Sequence, residues 1–155
     1  MITTLSFDLE DTLWDPRPAL VAADKAQWLA LAQRYPDLAE RFTRDKIFVC
    51  RKQILTDAPS IVGDVTALRI EVMYRLLLSL DIGPAEADEA ARMAFEAFMA
   101  MRNDVILFPE TIPMFESVSE SYTVVAITNG NADVFKTEIG PYFDLSIRAD
   151  EAGIA

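Results

Sequence analysis

Two short β-forming runs lie 115 positions apart in this chain of 155 residues, and a helical pattern fills most of the stretch between them. Residues 2–7 and 122–127 are rich in apolar and β-branched side chains, and both runs end at polar residues, which is typical of buried strands. Residues 145–148 predict a third strand. A strand, a helical insertion and then alternating helices and strands indicate an α/β fold with a parallel sheet.

Helices are predicted wherever apolar side chains recur at spacings of three and four. The clearest pattern begins after Asp64, a suitable N-cap, and stops before Gly83, while Pro84 suits the first turn of the next helix. The two prolines of residues 14–18 predict a break ahead of the first helix. The predicted helices cover residues 20–35, 38–49, 64–80, 84–101, 112–120 and 132–139.

The order of these segments predicts a core that is interrupted by a helical insertion. Residues 1–15 would form the first strand of the core and the loop that follows it. Residues 16–104 would form an inserted helical-bundle cap, because four helices joined by short links suggest a small bundle. Residues 105–155 would return to the core with the second and third strands.

The composition excludes several kinds of chemistry. The chain has no histidine and only Cys50, which excludes Ser-His-Asp triads, histidine-ligated zinc and internal disulfides. A net charge of −11 works against nucleic-acid binding, which needs basic surface. No signal peptide and no apolar run of about 18 residues is present, so we expect a cytoplasmic protein with no membrane partner. The groups that remain available for catalysis or binding are carboxylates, hydroxyls, lysines, backbone amides and cations bound by oxygen.

Two carboxylates follow the first strand. Ligands of open parallel sheets bind beyond the carboxyl ends of the strands, which makes Asp8 and Glu10 candidate site residues. In extended chain the two side chains point to the same side, where they repel unless a cation or a proton lies between them. An oxygen-only site of this kind suits Mg²⁺, and an aspartate can act as a nucleophile through an aspartyl-phosphate.

Hydroxyl and amide groups follow the second strand. Thr128 supplies a hydroxyl, and the turn that includes Asn129 and Gly130 can offer amides to an anion at the start of the helix predicted over 132–139. Each group taken singly has a simpler interpretation, as a helix cap or as a turn former. Asp8 and Thr128 are 120 positions apart, however, so they are not local caps of one element.

These segments resemble the motifs of a known family. Residues 7–13, Phe-Asp-Leu-Glu-Asp-Thr-Leu, resemble the first signature, Asp-x-Asp-x-Thr, of the haloacid-dehalogenase-like (HAD) hydrolases. Residues 125–130 resemble the second, a hydrophobic strand that ends in Thr or Ser, and the helical stretch matches the family's inserted cap. Within the family, residues 15–18 and 128–132 most resemble bacterial phosphatases that act on FMN and on the phosphoribitylaminouracil intermediate of riboflavin synthesis.

The resemblance implies a Rossmann-like core and Mg²⁺-dependent hydrolysis of a small phosphorylated metabolite, such as FMN or a sugar or nucleotide phosphate. Asp8 would be the nucleophile and a Mg²⁺ ligand. Position 10 would supply the general acid and base and a backbone carbonyl to the metal, so that Asp8 and Glu10 together form the metal site. The residues that would bind the phosphate are Thr128, Asn129 and Gly130.

The sequence departs from the family pattern at two points. Glu10 stands where phosphatases of this family have Asp, and the lysine-proline pair and the acidic motif of the family would lie beyond Ala155. We therefore expect an incomplete core, in a truncated and inactive form of a longer enzyme. Two alternatives stay open: a non-catalytic binding or assembly module that forms a homodimer through the edge of the first strand, and a 2-haloacid dehalogenase. Glu10 argues against the dehalogenase, because that branch lacks a carboxylate at this position.

Overall fold

A computed structural model describes residues 1–152, with the side chains of all of them except residues 39, 40 and 150. Residues 153–155, the end of the predicted second core segment, lie outside the described residues. The α-helices and strands are, in chain order, β1 (Thr4–Phe7), α1 (Pro16–Arg34), α2 (Leu38–Arg41), α3 (Arg44–Asp57), α4 (Val65–Leu78), α5 (Pro84–Arg102), α6 (Thr111–Val118), β2 (Thr123–Thr128), β3 (Leu145–Arg148) and α7 (Ala149–Ala152).

The three strands form one parallel sheet in the order β1-β2-β3. In the register, Phe7 lies beside Ala126, and Thr128 lies beside Arg148. The carboxyl ends of β1 and β2 therefore meet at one edge of the sheet, which places the residues that follow them close together. The predicted α/β class with a parallel, Rossmann-type sheet is confirmed.

Two separate hydrophobic clusters stabilise the described part of the chain. The cluster among the helices includes the fully buried Ile54 and Leu77. The cluster beside the sheet includes Leu9, Val124 and Phe115, whose ring lies 5.0–5.7 Å from the rings of three other aromatic residues. The division of the chain at residues 15 and 104 stays a prediction.

Helix α1 begins at the proline pair that the sequence indicated as a break before a helix. Pro16 and Pro18 both lie in the first turn of α1, where backbone N–H groups have no partner within the helix, so a proline loses nothing there. Asp15 caps this turn by accepting a hydrogen bond from the Arg17 N–H at 3.0 Å. The helix thus starts earlier than expected, at the first proline.

Two helix predictions were wrong. The stretch 38–49 is divided, because Phe42 adopts an extended conformation and Thr43 starts a new helix by accepting from the Lys46 N–H. In place of a helix over 132–139 there is only a 3-10 turn, Val134–Lys136. Asp133 is extended there because its N–H donates to the Asn103 side chain at 2.9 Å.

None of the helices among residues 1–152 is both long enough and apolar enough to cross a membrane. The cytoplasmic location expected from the sequence stays a prediction.

Candidate functional site

Asp8 is the first residue beyond β1, and it is exposed to solvent. Its Oδ1 accepts the Leu9 N–H at 2.8 Å, and the described hydrogen bonds leave its second oxygen free. The chain then turns tightly, with Asp11 at a φ of 58° and the Leu13 N–H donating to the Leu9 carbonyl at 2.8 Å. A carboxylate fixed on one oxygen and accessible on the other is suited to attack a bound electrophile.

The loop that carries Asp8 is tied to the segment that returns from the helices. The Leu13 carbonyl accepts both the Phe108 N–H at 2.9 Å and the Thr111 hydroxyl at 3.0 Å. Trp14, fully buried, forms a β-bridge with Leu107. These contacts hold the end of the loop, and so they limit the positions that Asp8 can adopt.

Glu10 contacts residues from two distant parts of the chain. Its Oε2 accepts the Thr128 hydroxyl at 2.7 Å, and its Oε1 accepts a hydrogen bond from Arg102 Nη2. The Thr128 oxygen in turn accepts the Gly130 N–H at 3.0 Å. The structure therefore brings together three of the predicted site residues, while Asn129 is exposed beside them.

Gly130 packs directly against the Glu10 carboxylate. A Cβ at position 130 would lie 2.2 Å from Glu10 Oε1, closer than any real contact. Because Arg102 and Thr128 hold the carboxylate, it cannot move aside without losing both hydrogen bonds. The absence of a side chain at position 130 is thus a condition for the observed position of Glu10.

Arg102 is a site residue that the sequence analysis missed. It ends α5 with 3% of its side chain exposed, and its Nε donates to the Asn131 side chain at 3.2 Å. Its Nη1 is buried and has no hydrogen-bond partner among the described residues. The sequence does contain a signal for it: Arg102 follows Phe98 by four residues and therefore falls on the buried face of α5. A charged residue on a buried helix face needs a partner elsewhere.

The loop after β2 also contacts the helical segment. The side-chain amide of Asn131 donates to the Thr66 hydroxyl, in the first turn of α4, at 3.4 Å. No α-helix begins after this loop in residues 132–139, so the helix N-terminus expected to support an anion there is absent, and the phosphate-binding role of the loop stays a prediction. The Thr128 hydroxyl and the Gly130 N–H already donate within the site, so they would bind a phosphate only by exchanging those partners.

The described residues provide few metal ligands. Among residues 1–152 with described side chains, no group of three or more Asp, Glu, Cys or His side chains is placed to hold a metal ion. The Glu10 carboxylate is engaged by Arg102 and Thr128, whereas the Glu10 carbonyl accepts no hydrogen bond from described residues. That carbonyl and the Asp8 carboxylate fit Mg²⁺, which usually keeps several waters and is bound by one or two carboxylates together with substrate phosphate oxygens.

A cavity of about 720 Å³ adjoins this site. Arg102, Gly130 and Asn131 form the end nearest Glu10, and side chains from α1, α3 and α4, with Phe98 of α5, form the rest of its lining. The sequence analysis did not predict this cavity, because its lining comes from four helices and a loop. The arrangement provides an accessible carboxylate, a second carboxylate with bound donors, and space for a small molecule.

Comparison with known proteins places these features in a family, although no protein-family model matches the chain. The chain is 29% identical over 152 residues to the 5-amino-6-(5-phospho-D-ribitylamino)uracil phosphatase YigB of Escherichia coli. The match covers 98% of this chain and 63% of YigB, so the chain spans less than two thirds of that relative's length.

Solved structures give a closer match. A 2-haloacid dehalogenase from Pseudomonas syringae is 35% identical, with a TM-score of 0.92 over 100% of this chain and 67% of its own. YfnB from Bacillus subtilis, solved with bound magnesium, shares 15% identity and a TM-score of 0.55 over 99% of this chain and 66% of its own, a likeness of fold alone. From the first of these matches and the motifs that carry Asp8 and Thr128, we conclude that the chain belongs to the haloacid-dehalogenase-like hydrolase superfamily.

Proposed function

We propose that this protein is a Mg²⁺-dependent phosphomonoester hydrolase, with the helical segment acting as a cap over the substrate. The observation that carries the proposal is the Glu10 carboxylate, held by Thr128 at the sheet edge where Asp8 lies. Phosphate-ester cleavage needs a proton for the leaving oxygen, and a carboxyl group near the nucleophile can supply it. The similarity to the phosphatase YigB supports the same reaction class.

Two residues would carry the chemistry. The Asp8 carboxylate attacks phosphorus and forms an aspartyl-phosphate, while Glu10 gives its proton to the departing alkoxide. Glu10 then accepts a proton from the water that attacks the aspartyl-phosphate, which releases phosphate and restores Asp8. Glu10 is ion-paired with Arg102 in the structure, so before it donates it must take up a proton from solvent and exchange the Arg102 contact for the leaving oxygen.

Magnesium would be held by the Asp8 carboxylate, through the oxygen that does not attack phosphorus, and by the Glu10 carbonyl. When bound, the ion screens the negative charge of the phosphoryl group, which a chain of net charge −11 otherwise disfavours. Thr128, Asn129 and Gly130 would contact the phosphoryl oxygens from the neighbouring strand end. FMN, the riboflavin intermediate named for YigB, and sugar or nucleotide phosphates are the candidate substrates.

The test is phosphate release from p-nitrophenyl phosphate with Mg²⁺ and after chelation by EDTA. Because YigB is longer than this chain, the assay includes any longer form that the gene encodes. We expect Mg²⁺-dependent turnover that Asp8→Asn lowers by about 10³-fold or more, since removal of a nucleophile removes the main catalytic route. The control is Asp11→Asn, a neighbouring carboxylate that the mechanism does not use. Turnover that survives in Asp8→Asn would refute the assignment.

A 2-haloacid dehalogenase is the second candidate, favoured by the 35% identity to the Pseudomonas syringae protein. Displacement of a halide needs no proton donor, so Glu10 is not required for the step that releases the halide. Halide release from 2-chloropropionate without added metal therefore separates the two activities. We expect none, and we expect Glu10→Gln to lower phosphate release. Halide release that is unaffected by Glu10→Gln would favour the dehalogenase.

A further inference from the structure

The cavity beside Glu10 is positively charged, although the whole chain carries a net charge of −11. Among its lining residues are five cations and a single acid, Asp24. An excess of cations in a concave site raises the local concentration of anions. The cationic lining residues are Lys25, Arg44, Arg51, Arg69 and Arg102.

One face of α3 supplies two of these cations. Arg44, Ile47, Phe48 and Arg51 all line the cavity, at the spacings of three, four and seven that put residues on one side of a helix. The two arginines therefore project from the same face, on either side of an apolar pair. All four residues line the cavity, and Ile47 also packs against the helical core, to which α3 contributes Ile54 as its one fully buried side chain among the described residues.

Three of the cations lack a protein partner. Lys25, Arg44 and Arg51 form no ion pair or side-chain hydrogen bond with any residue whose side chain the structure describes. Arg69, by contrast, donates to Asp24 at 2.6 Å and lies 3.7 Å above the Phe98 ring. These three exposed cations leave unneutralised positive charge in the lining of the cavity.

The guanidinium groups are close enough to affect one another. Burial is the main cause that lowers the pKa of Arg69, and the positive charges of Arg51 and Arg102 lower that pKa further. Arg102 also has a buried Nη1 without a hydrogen-bond partner among the described residues. Like charges held together are stabilised when an anion lies between them.

The same cavity exposes apolar surface. Phe48 and Val21, both of which line it, are 68% and 69% exposed, and Trp28 lies in the wall that α1 forms. Ligand cavities typically combine apolar walls with a few well-placed polar groups. A ligand that matches this lining carries an apolar or aromatic body as well as negative charge.

We propose that the cavity binds the leaving group of the substrate, and that Arg44 and Arg51 receive a second anionic group on it. This inference rests on the proposed phosphatase function. The substrates are then phosphomonoesters whose leaving group has an apolar or aromatic body and a carboxylate or a further phosphate at its far end. Arg102 is hydrogen bonded to Glu10 and therefore lies at the end of the cavity that would hold the phosphoryl group.

The test measures binding with phosphonates, which are not hydrolysed, so that its result does not depend on turnover. The probes are 4-methylbenzylphosphonate, its 4-carboxy analogue and its 4-phosphonomethyl analogue, compared by isothermal titration calorimetry with Mg²⁺. We expect one or both charged probes to bind about tenfold or more tightly than the methyl probe, because hydrogen bonds to charged groups are strong. The two charged probes distinguish a carboxylate from a phosphate as the preferred group.

The variants locate the effect. We expect Arg44→Gln with Arg51→Gln to remove the preference for the charged probes. Arg44→Lys with Arg51→Lys should retain part of it, because lysine keeps the positive charge but lacks the planar guanidinium that binds two oxygens at once. Arg92→Gln is the matched control, since Arg92 is exposed and paired with Asp88 outside the cavity. Circular dichroism checks that each variant is folded.

Three results would overturn the inference. The first is that the charged probes bind no better than the methyl probe, or that no probe binds. The others are a preference for charged probes that survives in Arg44→Gln with Arg51→Gln, or that is lost equally in Arg92→Gln. The protein could also prefer the charged probes through Arg44 and Arg51 and yet release no phosphate from any ester. That result would refute the proposed reaction and support the anion site.

Discussion

At the scale of single residues, the position of Glu10 depends on the glycine across from it. In Gly130→Ala, the new Cβ would take the place of Glu10 Oε1, and the carboxylate would leave Arg102. We expect the variant to be destabilised by about 1–3 kcal/mol, because a buried guanidinium loses its partner. Urea unfolding monitored by circular dichroism measures this change.

Two comparisons isolate the cause. Gly83→Ala is the control, since a Cβ there meets nothing within 4 Å; because Gly83 is the N-cap of α5, where alanine is less favourable than glycine, we expect a cost of up to about 1 kcal/mol that does not depend on Glu10. In a Glu10→Ala background the cost of Gly130→Ala should disappear. If the cost persisted there, backbone strain and not the carboxylate would be its source.

Asp15 provides a prediction about pH. The side chain of Arg17, and then its main-chain N–H, hold the pKa of Asp15 down from 3.8 to about 2. A folded-state pKa below the unfolded value stabilises the fold above pH 3.8, and this contribution is lost as the pH falls toward 2. NMR titration of the Asp15 carboxyl should show the low midpoint. Arg17→Gln should raise the midpoint toward 3.8, and an unchanged midpoint would contradict the pairing.

At the scale of elements, α3 is weakly anchored. Ile54 is its only buried residue among 14, whereas α5 buries six of its 19. Helices with few buried contacts open locally at low cost in free energy. We expect amides in α3 to exchange with deuterium before those in α1, α4 and α5, as measured by mass spectrometry. Protection in α3 equal to that in α5 would contradict this.

The strands and the long helices were predictable because their patterns are local. Residues 145–148 match β3, and α4 and α5 lie within two residues of the stretches proposed for them. The errors occur where a single hydrogen bond decides the conformation. Thr43 restarts a helix inside 38–49, and Asn103 holds Asp133 extended where a helix was expected. Such contacts leave no periodic signal in the sequence.

At the scale of the whole molecule, the two hydrophobic clusters should contribute independently to stability. Ile54 belongs to the helical cluster and Ile139 to the cluster beside the sheet, and both are fully buried. We expect each Ile→Val change to cost about 0.5–1.5 kcal/mol and the double variant to equal their sum within about 0.5 kcal/mol. Urea unfolding measures all three variants. A departure from additivity would show that the clusters are coupled.

The candidate site was predictable only in part. The topology of a parallel sheet predicts that Glu10 and Thr128 approach each other, and they are hydrogen bonded. Arg102 and the cavity depend on how α5 and the other helices pack over the sheet edge, which no local pattern specifies. The proposed catalytic, phosphate-binding and metal roles of the motif residues remain predictions for the experiments above.

The position of Arg102 at the end of α5 has a mechanical consequence. An α-helix of 19 residues is about 28 Å long, so a rotation of about 10° around its Arg102 end moves the Pro84 end by about 5 Å. The hydrogen bonds from Arg102 to Glu10 and Asn131 lie at the fixed end of the helix, where such a rotation displaces atoms least. Phe98 and Arg102, through which α5 lines the cavity, lie at that end as well, so the cavity wall beside Glu10 would keep its position even if the far end of the helix moved.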